Sequence, residues 1–218
     1  MWLQSIKYTK FSKSVQLKPF PKNAASSPAN RDKANPPKTM RKLTFEEIAS
    51  SRATLSSIGE TPALPVTVLL DSIRSLYNVG SIFRTSDAVR IEKLVLTGFT
   101  PIPPRKEIDK TALGATQSVA WEYSRDPLEP LRRLKHQGIR LCALELTDRS
   151  VPYDTLAPTD FPLCLVVGNE ISGVSGAVLE MCDTGIELPM AGIKHSLNVA
   201  VAYGVAIFEL ARIWRRAR

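Results

Sequence analysis

Three short stretches combine residue types suited to a polar ligand, and each follows an apolar run. The first is Asn78-Val79-Gly80-Ser81-Ile82-Phe83-Arg84-Thr85. It sets an amide, which donates and accepts at once, six residues ahead of a guanidinium, which only donates. The second is Gly168-Asn169-Glu170-Ile171-Ser172-Gly173. Its glycine spacing mimics a phosphate loop, but Val174 stands where that loop needs a lysine, and Glu170 would repel a phosphate. An acid in such a loop suits a ligand that offers donors or positive charge. The third runs from Pro189 through Lys194 and His195 into Ser196-Leu197-Asn198. No G-x-G-x-x-G follows any strand, which argues against a dinucleotide site. With two histidines and three cysteines, none in a C-x-x-C pair, no metal site is expected. Each of these residues also has a plain structural role open to it. Asn78 could start a helix, Arg84 could be solvated, Gly168 and Gly173 could be turns, and Ser196 could be an N-cap.

The elements that must position these stretches alternate. Apolar runs at 66–70, 93–97, 119–123, 139–146, 163–167 and 186–188 read as strands. Helices are expected at 44–55, 81–89, 127–137, 175–181 and 196–215, with a stiff proline loop after Gly98. Continuous apolar strands separated by helices indicate an α/β fold, a mostly parallel sheet flanked by helices. In such folds ligands bind where strands end in loops.

The 218 residues are 44% apolar and 23% charged, which excludes a chain disordered throughout. The odd number of cysteines, in apolar or mixed surroundings, reads as free thiols in a reducing, cytoplasmic setting. The longest strongly apolar run, 199–208, is too short for a bilayer. Residues 1–39 carry seven of the eight net positive charges, with five prolines and no glycine. Three readings of this stretch stay open: a basic arm for phosphates, a targeting segment, or a start-site artefact ahead of Met40. The expected organisation is a basic disordered tail over 1–43, a short helix and linker over 44–64, and a domain over 65–218. Thr44 and Glu47 have capping-box spacing at the head of that helix.

Together, in this order, the three stretches resemble the SpoU/TrmH family of RNA ribose 2′-O-methyltransferases, within the SPOUT superfamily. The resemblance covers roughly 65–218. It rests on the two stretches from Asn78 and from Val166, and on Ile186-Glu187-Leu188-Pro189-Met190 with Ser196-Leu197-Asn198-Val199. It implies a C-terminal deep trefoil knot, S-adenosylmethionine as cofactor, a tRNA or rRNA substrate, and a homodimer with sites near the subunit interface. The separate N-terminal RNA-binding domain of many members is not expected in 1–64, which is short and polar.

The resemblance also implies roles. Arg84 would serve the attacking ribose hydroxyl, either as a base once an RNA phosphate enters or by holding that phosphate. Asn78 would position Arg84 or the ribose, and Glu170 would orient the arginine or the substrate. Ser196 and Asn198 would reach the ribose or the cofactor. Gly168 would leave room for the cofactor, with Leu144, Leu188, Met190 and Leu197 as apolar walls and Ser196 beside them. His195 falls outside the pattern and is expected at the surface. Two rivals remain: a knotted RNA-binding protein without activity, and a SPOUT base methyltransferase.

Overall fold

A computed structural model describes residues 40–218. The expected basic, disordered tail falls largely on 1–39 and lies outside the described residues. The described residues divide into two units, 40–51 and 52–218. In the first, α1 (Phe45–Ser50) is opened by a capping box in which the Thr44 and Glu47 side chains each accept from the other's backbone N–H. The helix stops well short of residue 55.

The second unit holds seven strands: β1 (Leu64–Asp71), β2 (Ile91–Thr97), β3 (Trp121–Ser124), β4 (Arg140–Leu144), β5 (Ser150–Pro152), β6 (Leu163–Val167) and β7 (Thr184–Glu187). They form one sheet in the order β3-β2-β1-β6-β4-β7-β5, and every pairing is parallel. The inner strands β1, β4 and β6 are largely apolar because both faces are covered. Val66, Val68, Leu70, Leu165 and Val167 pack under α2 (Leu76–Val89) and α7 (Val199–Arg216). Leu69, Val95, Leu141, Ala143 and Val166 face the other way, against Leu131 and Leu134 of α5 (Leu128–His136) and Val178 of α6 (Gly176–Leu179). The alternation along β1 is the period-two pattern of a strand with two buried faces.

Cys142 and Cys164 are buried free thiols. Burial pushes Cys142 up to about 12 and raises Cys164 further, so neither is a nucleophile near neutrality. Among the described residues, no helix is long and apolar enough to cross a membrane.

Several further elements depart from expectation. Helix α2 begins at Leu76, not residue 81. Its N-cap is Ser75, whose hydroxyl accepts from the Asn78 N–H, so Asn78 and Gly80 lie inside the helix. Gly80 is there for packing: a Cβ would meet Thr111 Oγ1 at 2.1 Å and the Ile108 carbonyl at 2.3 Å. Those atoms belong to α3 (Lys106–Ala112), which with α4 (Ala115–Ser118) occupies a stretch given no element from sequence. Helix α7 starts at Val199, and Asn198 rather than Ser196 caps it, accepting from Ala200 N and Val201 N. Deeper in, Tyr203 of α7 and Ser86 of α2, both buried, share a 2.7 Å hydrogen bond between their hydroxyls. That contact fixes one helix against the other.

Candidate active site

The carboxyl ends of β1, β6, β4 and β7 bring the motif loops together. After β1 the chain turns through Ser72, in the left-handed region at φ 59°, and enters α2. After β6 the loop folds back on itself: Asn169 and Gly173 exchange backbone hydrogen bonds at 3.0 Å in both directions. The Asn169 side chain donates to the Ser72 carbonyl at 2.6 Å, and Asp71 accepts from Ser175 N at 2.8 Å. These contacts lock the second loop onto the first.

Glu170 then reaches the start of α2. Its carboxylate accepts from Arg74 N at 2.8 Å, Ser75 N at 3.0 Å and the Asn78 side-chain amide at 2.8 Å. The Asn78 Oδ1 in turn accepts from the Asn198 amide at 3.1 Å, while Asn198 Oδ1 caps α7. One hydrogen-bond chain, Glu170–Asn78–Asn198, therefore joins all three stretches. Burial alone would raise the Glu170 carboxyl. The donors from Arg74, Asn78 and Ser75 outweigh it and hold the group below the ordinary carboxylate range.

That shift has a sign. A carboxyl lowered on folding contributes stability above its unfolded value, about 4.3. The contribution disappears as pH falls through the folded value. Asp183 and Glu209 are also lowered, and each contributes in the same direction. Glu170→Gln isolates one share. Urea midpoints of wild type and variant should differ most at neutral pH and converge towards pH 3. A gap independent of pH would remove the charge from the account.

Beside this chain lies a cavity of about 540 Å³. Leu144, Gly168, Glu170, Leu188, Met190, Ser196 and Leu197 line it together. Asn78, Arg84 and Asn198 do not. Arg84 is exposed on α2, about 9 Å along the axis from Asn78 and on a different face. The Asn78 side chain bonds to Glu170 and Asn198 and makes no hydrogen bond to Arg84, one of the two partners expected for it besides the ribose. The Glu170 carboxylate holds the start of α2 rather than an arginine side chain. Gly168 lines the cavity, and a Cβ there would lie 2.2 Å from Gly173 C and Val174 N, so the missing side chain also admits the returning loop.

Several lining residues were not expected. His195 is exposed, as expected, yet it lines the cavity with Lys194. Glu145, next to Leu144, lines it too and accepts from Val174 N at 2.9 Å. Glu187 does so while accepting from the Ser150 hydroxyl. A position at the end of a buried strand was the only local signal for the two acids.

A wholly parallel sheet flanked by helices, with a ligand-sized cavity at its carboxyl edge, defines an α/β protein that places its site where the strands end. The model of the SpoU rRNA Methylase family matches residues 65–208, and the chain belongs to that family. It is 34% identical over 146 residues to the tRNA (guanosine(18)-2′-O)-methyltransferase of Aquifex aeolicus, covering 66% of this chain and 68% of that one. It is 30% identical over 159 residues to the 23S rRNA (guanosine-2′-O-)-methyltransferase RlmB of Vibrio vulnificus, covering 72% of this chain and 63% of that one. The chain thus spans about two thirds or less of the length of these relatives. Among solved structures, the A. aeolicus TrmH/SpoU tRNA modifying enzyme matches with a TM-score of 0.66 at 30% identity, over 75% of this chain and 83% of that one. An AdoMet-bound rRNA methyltransferase from Sinorhizobium meliloti matches with a TM-score of 0.63 at 28% identity, over 69% and 60%.

Proposed function

We propose that the chain is an S-adenosylmethionine-dependent methyltransferase acting on a ribose 2′-hydroxyl in tRNA or rRNA. The observation that carries this reading is the hydrogen-bond chain Glu170–Asn78–Asn198, which assembles the three motif loops at the rim of one cavity. The lining suits the cofactor. Leu144, Leu188, Met190 and Leu197 offer apolar walls to a purine, while Glu145, Glu170 and Glu187 suit a ligand bearing a sulfonium and an ammonium. Lys194 stands in the same lining for its carboxylate. When bound, the cofactor supplies an activated methyl group.

The chain supplies alignment and the fate of one proton. Glu170, Asn78 and Asn198 hold the loops in register, so the ribose oxygen meets a fixed frame. Ser196 lines the cavity and offers a hydroxyl to ribose or cofactor. Arg84 serves the 2′-oxygen, by taking its proton or by gripping a neighbouring phosphate. A guanidinium hardly ever gives up its proton, which favours the grip.

The reading includes a homodimer. Helix α7 exposes Val201, Val205 and Phe208 at spacings of four and three, an apolar stripe along one face. Arg84 lies outside its own chain's cavity, which a site shared between copies accounts for. The knot and the placement in the cytoplasm belong to the same proposal and rest on the family resemblance.

Calorimetry with S-adenosylmethionine tests the cofactor. Incubation with unmodified tRNA and rRNA, then nucleoside mass spectrometry, tests the reaction; 2′-O-methylnucleosides are the expected product. A methylated base would make this a base methyltransferase, and cofactor binding with no product would leave an RNA-binding protein. Sedimentation at the single-chain mass of 24.0 kDa would overturn the dimer.

A further inference from the structure

A second, open groove of about 370 Å³ adjoins the cavity, lined by Arg74, Ser75, Glu170 and Ile171. Glu170 and Ile171 line both, so the two spaces share a wall. Arg74 is held by its backbone: its N–H donates to Glu170 Oε2 at 2.8 Å. Its side chain is exposed, and among the described residues no carboxylate lies within ion-pair distance of its guanidinium. The Glu170 charge would repel a phosphate set against it, but three donors engage its carboxylate, which leaves the Arg74 side of the groove for an anion. Ile171 lines the same groove and is 77% exposed, a large apolar side chain presented to water beside a polar site.

An unpaired guanidinium and an exposed apolar face in one groove match a nucleotide, which offers an anion and a flat apolar ring or sugar together. Arginine binds phosphate through two parallel N–H donors, a geometry a lysine lacks. Resting on the function proposed above, we propose that this groove is a subsite for the RNA strand next to the methylated nucleotide, with Arg74 on a backbone phosphodiester and Ile171 against the adjoining sugar or base. The cavity would hold the cofactor, the shared wall at Glu170 would mark the reacting ribose, and the groove would set which way the strand runs. Arg74 is thus a positioning residue on the substrate side, distinct from Arg84 on α2.

The test measures fluorescence anisotropy of a labelled, mixed-sequence single-stranded RNA on the full chain across a salt series, with S-adenosylmethionine affinity measured alongside. Arg74→Ala should weaken RNA binding by about tenfold, the size expected for one charge-assisted contact. It should also flatten the log–log salt slope by about 0.7, one phosphate on a single strand. Arg74→Lys should restore the slope but only part of the affinity. Cofactor affinity should not move in either variant, because the backbone N–H that meets Glu170 remains; this readout also shows that the fold is intact. Arg132→Ala, on the exposed face of α5, should change neither. Wild-type RNA affinity and slope in Arg74→Ala would overturn the subsite. So would an equal loss in Arg132→Ala, or a loss of cofactor affinity in Arg74→Ala. A wild-type chain that binds RNA but shows one of these results loses the subsite alone. A wild-type chain that binds no RNA loses the proposed function with it.

Discussion

Arg84→Ala is expected to lower methyl transfer by about 10²- to 10⁴-fold, the range for losing a group that handles a proton or charge in the transition state. Cofactor affinity should stay within about twofold. The asymmetry follows from placement: the guanidinium is exposed on α2 and absent from the cavity lining, so removing it takes nothing from the cofactor's walls. Its removal also leaves the core untouched, since α2 is anchored through Val79, Ile82, Phe83 and Ser86. Single-turnover rates together with calorimetry would read both quantities. Near wild-type turnover would eliminate the role, and a large loss of cofactor affinity would move Arg84 to the cofactor side. Arg84→Lys separates the two mechanisms. A lysine keeps the charge but not the planar fork, so substantial recovery would mean simple charge stabilisation.

Gly168→Ala should be damaging in a different way. A single added carbon meets the backbone of Gly173 and Val174 at 2.2 Å, and backbone cannot swing aside as a side chain can. The returning loop must open, which disturbs the Asn169–Gly173 exchange and the Glu145 contact at Val174. Overpacking of this kind costs about 1–3 kcal/mol. The thermal midpoint should drop by several degrees, about 2–4 °C for each kcal/mol in a chain of this size. Cofactor affinity should fall by more than tenfold, because Gly168, Glu145 and Glu170 all line the cavity. A variant that binds poorly while melting like wild type would mean that the glycine does leave room for the ligand, and that the loop yields without cost.

The inner strands of the sheet were legible because they are short, continuous apolar runs that alternate with helical stretches. Both long helices were found, but each began at a different residue than expected. In α2 Asn78 reads locally as a helix start, and only packing against α3 explains Gly80 inside the helix. In α7 the choice between Ser196 and Asn198 as cap depends on Asn78, far away in sequence. Helix α3 escaped notice because only Ile108 and Ala112 of its seven residues are buried, too few to show a period. The edge strand β5 escaped because three residues ending in proline carry no strand signal.

The candidate site divides in the same manner. That three stretches matter, and that Leu144, Leu188, Met190 and Leu197 are apolar residues at loop entrances, could be read from the chain. What each polar group touches could not. A hydrogen bond between Asn78 and Glu170 spans 92 positions, and one between Asn198 and Asn78 spans 120. Nothing local in the chain announces such a partner. Glu145 and Lys194 were passed over for the same reason, as single charged residues beside more conspicuous neighbours.

Those separations bear on how the protein comes to be competent. Parallel strands pair only after long loops close, and proteins dominated by distant contacts fold slowly for that reason. The Glu170–Asn78–Asn198 chain needs β1, β6 and the start of α7 all in place, so no segment emerging early in synthesis can hold a cavity ligand. Ligand recognition is therefore a late event and reads out completion of the whole domain. By mass action, a ligand that meets only the finished state at a hundred times its Kd adds about 2.7 kcal/mol to stability. Cellular supply of that ligand would thus act on the lifetime of newly made chains as well as on their turnover.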